Sequence, residues 1–264
     1  MSKKNVRSYY AGDTFLWQDL SGDLAIRYAN AIQQIISTLP YKGKRDGSGV
    51  CADIGCGGGR YTQLLTHYFQ GVCGLDYTFH FLKAGRELFG GHIDFVCGDA
   101  VNLPLCNNSM DFILSVGLTE CLSSTQMSAF FVEVSRVLKP GGYALVRVWK
   151  RVGFSYLLSR VGKGISTAYP EFYFHSERHI KRFCAHASFR QTTFFGALLI
   201  ARWYFERRIA WPHKIKEKLL VVESNYRKYS SLYDTFFFVH KSEQLYAITS
   251  FTPYSSVLPL FKTN

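Results

Sequence analysis

The seven cysteines contain no C-x-x-C pair and their number is odd, so neither a zinc ribbon nor a closed disulfide framework is written in the chain. Cys51, Cys73, Cys97 and Cys184 lie inside apolar runs and are expected as buried thiols in a reducing compartment. No apolar stretch follows Lys3, Lys4 and Arg7, which argues against a secretory leader and for the cytoplasm. Internal repeats and low-complexity tracts are also missing, and this excludes a solenoid or a disordered polar chain. Acidic residues are scarce in one half only. Residues 147–264 hold 7 Asp and Glu against 19 Lys and Arg, whereas residues 1–146 hold 12 of each class, so the second half carries the whole net charge of +12. That field suits phosphate-bearing substrates, nucleic acid or an anionic membrane surface; a merely solvated basic face is the plainer alternative.

What is present is a globular chain of 264 residues, 47% hydrophobic and rich in Phe and Tyr, long enough for one α/β domain with an insertion or a small lid. From about Val50 to Trp149, β-rich runs alternate with helical stretches, the pattern of a parallel sheet with helices on both faces. The strands are expected at Val50–Ile54, Gly71–Asp76, Ile93–Cys97, Met110–Val116 and Tyr143–Trp149. Met127, Phe130, Phe131, Val134, Val137 and Leu138 recur at helical spacing behind the cap candidates Ser123, Ser124 and Thr125, and Pro140-Gly141-Gly142 is expected to stop that helix. Asp23 to Leu39 reads as an earlier helix, with Leu24, Tyr28, Ile32, Ile35 and Ile36 on one face. Lys42 to Gly49 reads as a linker. Two more strands are expected at Gln191–Phe195 and Thr235–His240, separated by a long basic and aromatic connection with Arg202, Arg207, Arg208, Trp203 and Trp211.

The chemistry concentrates where the first strand ends. Asp53-Ile54 opens into Gly55-Cys56-Gly57-Gly58-Gly59 ahead of a helix-like run at Tyr61–Tyr68, a tight strand-to-helix turn whose missing side chains let backbone approach a ligand. It is not the dinucleotide fingerprint, since the position for that motif's last glycine is Arg60. Asp76 ends the second strand, 17 residues beyond Gly59, where a carboxylate accepts hydrogen bonds from two ribose hydroxyls. Asp99 follows the third strand beside the same crevice, ready to receive an exocyclic amine. Together they describe an adenosine site; glycines and aspartates acting only as turn formers are the structural alternative.

The ordered succession Asp53-Ile-Gly-Cys-Gly-Gly-Gly59, Gly74-Leu-Asp76, Gly98-Asp-Ala100, Leu103-Pro104, Asp111 and Arg136-Val-Leu-Lys-Pro-Gly-Gly142 resembles the class I S-adenosylmethionine-dependent methyltransferases, in the small-molecule and lipid group that includes the ubiquinone-biosynthesis type. The resemblance spans roughly residues 48–150. It implies a Rossmann-like, doubly wound seven-stranded sheet with its last strand antiparallel, for which Thr235–His240 is the candidate. It implies three stretches: an N-terminal helical flap over 1–47, a cofactor-binding core over 48–150, and 151–264 with C-terminal strands and a substrate-facing insertion at about 197–233. Tyr9, Tyr10 and Trp17 are flap candidates, with core packing as the alternative.

By the same resemblance, Gly55, Cys56, Gly57 and Gly59 back the methionine part of S-adenosylmethionine with Asp53 beneath. Asp76 would hold the ribose, Asp99 and Ala100 would contact the adenine, and Tyr77 and Ser115 are counted with them as cofactor-binding residues. The product would be S-adenosylhomocysteine, with no metal. Many relatives carry histidine after Leu-x-Glu behind the fourth strand; here Leu118-Thr119-Glu120-Cys121 puts Cys121 there, which leaves the general base open. Candidates are Glu120 and the pair His175 and His179, which at i, i+4 would share a helical face near Tyr169, Phe172 and Tyr173. Structural roles for both histidines, and a polar contact for Glu120, are the alternatives.

The acceptor is expected to be a small molecule, a lipid or a lipid-linked glycan, methylated at oxygen or carbon. Thr193–Phe205 is apolar apart from Arg202 and too short to span a bilayer, which suits peripheral contact with an anionic membrane or a buried lid helix. An RNA acceptor remains open through the basic aromatic region at 202–228. Exocyclic-amine methylation of a base is disfavoured because Ser115-Val116-Gly117-Leu118 stands where those enzymes carry a Pro-Pro-aromatic motif. A non-catalytic binding protein on the same fold is the reading of a different class, and aminopropyl transfer is disfavoured by the basic second half.

Overall fold

The computed structural model of the chain describes residues 48–148, 173 and 175–189, single positions at 29, 32, 33 and 36, and the backbone of 191–197 and 234–240. The order is β1 (Val50–Ile54), α1 (Thr62–Leu65), β2 (Gly71–Asp76), α2 (Phe79–Phe89), β3 (Asp94–Cys97), β4 (Met110–Ser115), α3 (Ser124–Val137), β5 (Leu138–Val148), α4 (Glu177–His186), β6 (Gln191–Ala197) and β7 (Asp234–His240). The strands line up as β3-β2-β1-β4-β5-β7-β6. From β3 to β5 every pairing is parallel, and β7 runs antiparallel to both β5 and β6. The order reverses between β1 and β4, so a crevice opens at their C-terminal ends.

Alternation along the strands sends side chains to two cores. Ala52, Ile54, Leu75, Ile113, Ala144 and Val146 meet the apolar stripe of α3 (Met127, Phe130, Phe131, Val134, Val137) and the inner side of α4. On the other face Cys51, Val72, Phe95, Phe112, Leu114 and Leu145 meet Leu65, Phe69, Leu82 and, from the earlier helix, Ile32 and Ile36. Ala29, Ile32, Gln33 and Ile36 are helical as expected. The rest of Asp23–Leu39, the linker up to residue 47 and Tyr9, Tyr10 and Trp17 lie outside the described residues, as do Tyr169, Phe172 and most of 197–233.

Several boundaries differ from expectation. The third strand starts at Asp94, with Ile93 buried just before it. The run after Gly59 is helical only over Thr62–Leu65, because Thr66, His67 and Tyr68 donate to carbonyls three residues back and tighten the turn. α3 stops at Val137, ahead of Pro140, since Leu138 is already extended and paired with Met110 in the sheet. Its start is a full capping box: the Ser123 hydroxyl accepts from the Gln126 amide, and the Gln126 side chain accepts from the Ser123 amide. Cys97 is exposed at the end of edge strand β3, against the expectation of burial; Cys51, Cys73 and Cys184 are buried, and none of the seven cysteines is in a disulfide.

Two motif residues prove to be framework. Arg136 donates to the carbonyls of Leu103 and Leu105, to Asn107 and to Glu133, whose carboxylate also accepts from the Leu103 amide at 2.6 Å. Asp111 accepts from Val50 N and from Lys139 Nζ, tying the start of β1 to the α3–β5 junction.

Candidate active site

The strand-to-helix turn after β1 is built on one carbonyl. The amides of Gly55 and Cys56 both donate to Leu75 O, at 2.7 and 3.0 Å, which folds the loop back over the end of β2. Gly55, Gly57 and Gly59 have φ of +78°, +55° and +86°, the left-handed region that disfavours any Cβ. A Cβ at Gly55 would stand 2.8 Å from Leu118 and one at Gly59 2.9 Å from the Phe95 ring, so close packing also requires these two. At Gly57 a Cβ would meet nothing within 4 Å. That position faces open space at the crevice.

Asp76 borders the same space. One carboxylate oxygen accepts from the Gly57 amide and the other from the Thr78 amide, both at 2.8 Å. Each oxygen keeps a further lone pair for a ligand hydroxyl. The Asp76 carbonyl accepts from Gly98 N, which brings the turn after β3 alongside. There Asp99 accepts from the Val101 amide and pairs across to Asn102, while Ala100 is buried in the core. Tyr77 is 55% exposed beside Asp76.

Asp53 lies underneath, 2% exposed, accepting from the Thr62 hydroxyl at 2.7 Å. Burial pushes its pKa up to about 7, with the Asp76 charge adding to the rise and the Thr62 bond opposing it. The Cys56 thiol is buried and raised well above its ordinary range, mainly by desolvation, so it is an inert neutral group beneath the loop. Ser115 is also inaccessible: its hydroxyl donates to Ile54 O at 2.9 Å and joins the ends of β4 and β1.

The turn after β4 forms the far lip. Gly117 has φ +92°, and the nearest atom to a Cβ there would be a Glu120 carboxylate oxygen at 4.0 Å. Glu120 is buried and ion-paired with Arg147 of β5 at 3.1 Å, their side chains 6% and 7% exposed. Thr119 donates its hydroxyl to Arg147 O at 2.8 Å, completing the link. Sequence reasoning named Glu120 but missed Arg147, because the partner lies 27 residues away on another strand. Cys121 is half-buried in the same turn.

His175 and His179 do not share a helical face. His175 precedes α4, Ser176 caps the helix by accepting from the His179 amide, and only His179 is helical. His175 is 2% exposed with Nε2 3.1 Å from Leu122 O. Burial lowers its pKa, while the Leu122 and Thr119 carbonyls pull the other way; it is a neutral anchor for the lip. His179 is exposed on the outer side of α4. Among the described residues, no three His, Cys, Asp or Glu side chains gather as metal ligands, and no helix is long and apolar enough to cross a membrane.

Glycine loop, Asp76 and Asp99 thus converge at a switch point of a parallel sheet, the arrangement of a Rossmann-like cofactor site. Residues 52–146 match the family model described as "Methyltransferase domain". This part of the chain is a class I S-adenosylmethionine-dependent methyltransferase domain, with S-adenosylmethionine as its cofactor. The chain is 39% identical over 95 residues to the biotin biosynthesis bifunctional protein BioHC of Cellvibrio japonicus, covering 36% of this chain and 18% of that protein. It is 29% identical over 150 residues to human "Probable tRNA methyltransferase 9B", covering 56% of this chain and 30% of that one. The chain thus spans less than a third of the length of either relative. Geranyl diphosphate C-methyltransferase of Streptomyces coelicolor, solved with Mg2+, geranyl-S-thiolodiphosphate and S-adenosylhomocysteine, shares the fold: the TM-score is 0.60 at 14% identity, over 88% of this chain and 83% of that one.

Proposed function

We propose that the protein transfers a methyl group from S-adenosylmethionine to a small-molecule, lipid or lipid-linked glycan acceptor, at oxygen or carbon. The observation that carries the cofactor part is the open space at Gly57, whose amide is held by Asp76. A glycine that needs no room for packing, set in left-handed backbone beside a carboxylate, fits a ligand that approaches the main chain closely. Gly55, Cys56, Gly57 and Gly59 would hold the methionine part by backbone, Asp76 and Tyr77 the ribose, and Asp99 and Ala100 the adenine, while Ser115, fully buried, would act from behind by fixing the ends of β4 and β1. Asp53, neutral below about pH 7, keeps charge out from under the loop.

When bound, the cofactor supplies an electrophilic methyl group on a sulfonium. The chain's own work is to align an acceptor and exclude water. The Gly117–Cys121 lip, stiffened by Glu120, Arg147 and His175, is the element we assign to the acceptor side; His179 is exposed on α4. We further propose the division into a flap over 1–47, a core over 48–150 and a C-terminal stretch over 151–264, with β6 and β7 completing the family's seven-stranded sheet and about 197–233 facing the substrate. Of the apolar run Thr193–Phe205, residues 193–197 belong to β6, which leaves the remainder to any contact with lipid.

The hydrophobic-acceptor reading draws support from the likeness to the biotin-pathway relative and to the geranyl diphosphate enzyme. An RNA acceptor is the second reading, favoured by the longest of these overlaps, the 150 residues shared with the tRNA methyltransferase. Calorimetric titration of the full chain with S-adenosylmethionine and S-adenosylhomocysteine tests the cofactor. Micromolar binding is expected, and silence from a folded chain overturns the proposal. Tritiated methyl transfer to total lipid extract against total RNA then separates the acceptors.

A further inference from the structure

One surface has no part in the cofactor site. α4 turns Ile180 and Cys184 into the core, followed by Ala187 and Phe189 beyond its end. Its outer side exposes Arg178, His179, Lys181, Arg182, Ala185 and His186. Arg178, Lys181, Arg182 and Ala185 stand at i, i+3, i+4 and i+7 and line one shallow concavity. Glu177 is the sole acidic residue between 173 and 189. Like charges at i and i+4, as Arg178 and Arg182 are, repel each other slightly along a helix, and an anion laid across them relieves that repulsion.

Its position is informative. The Tyr173 amide donates to Glu120 O at 2.7 Å, and His175 contacts Leu122 O. The chain leaves the acceptor-side lip, is capped at Ser176, and reaches Arg178 within the first turn of α4. The cationic face therefore begins next to the mouth assigned to the acceptor.

We propose that Arg178, Lys181 and Arg182 on the outer face of α4 dock the phosphate headgroups of an anionic membrane, holding the mouth at the surface from which a lipid acceptor is drawn. This rests on the lipid reading of the acceptor. From residue 178 to 185 the cluster is roughly 10 Å long at the rise of an α-helix, which matches one or two headgroups better than a tracked nucleic-acid strand. Tyr173, 43% exposed at the foot of the helix, is of a residue type enriched at membrane interfaces. Because the apolar side of α4 is buried in the core, the helix docks by charge without inserting.

The test is co-sedimentation of the full chain with vesicles of phosphatidylcholine alone and of phosphatidylcholine with phosphatidylglycerol. Binding only to the anionic vesicles is expected. Arg178→Ala/Lys181→Ala/Arg182→Ala should weaken it by about 100-fold, at the usual contribution of a basic side chain near an anionic surface. Arg178→Lys/Arg182→Lys should retain it, and S-adenosylhomocysteine affinity should be unchanged in both variants. Equal binding to the two kinds of vesicle, undiminished binding by the alanine variant, or loss of binding to a short RNA without loss of vesicle binding would each overturn the proposal. A chain that fails to bind S-adenosylhomocysteine yet shows the vesicle pattern would retire the methyltransferase reading and leave the docking surface standing.

Discussion

Gly57 and Gly59 share left-handed backbone but stand for different things, and alanine separates them. At Gly59 the added methyl collides with Phe95, so strain and overpacking together should cost roughly 2–4 kcal/mol of stability, read by urea denaturation. At Gly57 only the backbone cost of about 1 kcal/mol applies, while the methyl occupies the proposed cofactor space and should weaken binding more than about tenfold. A Gly57→Ala protein that binds as wild type would remove this glycine from the site. Asp76→Ala deletes an acceptor of two amides and, on our reading, of ribose hydroxyls; calorimetry should record a loss of roughly 1.5–3 kcal/mol in affinity.

Asp53 supplies a pH prediction whose sign is set by burial. Its folded pKa, about 7, lies above the ordinary 3.8, so the folded state binds its proton more tightly than the unfolded chain does. The resulting stability is fully present below about pH 4 and is lost as the pH rises through 7. Asp53→Asn removes this titration while an amide oxygen still faces Thr62. Melting temperatures of wild type and variant should therefore diverge between pH 5 and pH 8, the variant gaining on the wild type as the solution becomes more alkaline; parallel curves would refute the raised pKa.

At the scale of elements, the sheet positions set by local pattern were legible and those set by distant partners were not. β1 and β2 are bounded where alternation and glycine place them, and the stripe of α3 is the buried stripe, because period and cap are local properties. Leu138 joins β5 only because Met110 is there to pair with it, and His175 leaves the helix only because Ser176 is the cap and Leu122 receives the ring. The same holds within the site. The glycines and Asp76 could be read from spacing, whereas the commitment of Ser115 to Ile54 and of Glu120 to Arg147 depends on strands brought together by the fold. That ion pair ties β5 to the lip, and Arg147→Met would leave a buried carboxylate without its cation. A loss of roughly 3–5 kcal/mol is expected, largely recovered when Glu120→Gln is added; a double variant as unstable as the single would show that Arg147 acts through packing instead.

Across the whole molecule, charge is segregated in the same sense as the proposed tasks. The half that contains the cofactor loop is electrically balanced, and the half that follows holds the entire excess of +12. Cofactor binding through short hydrogen bonds in a partly buried crevice is weakly screened, whereas attraction of exposed cations to an anionic surface decays with the Debye length. Raising salt from about 50 to 500 mM should therefore change S-adenosylhomocysteine affinity by less than about threefold while reducing association with anionic vesicles by more than about tenfold. Calorimetry and co-sedimentation on one preparation measure both. If the two affinities fell together, cofactor and membrane would be sensing the same charges, and the separation of cofactor pocket from docking surface would be wrong; if only vesicle binding fell, salt would provide a way to study methyl transfer on dispersed acceptors with the membrane contact switched off.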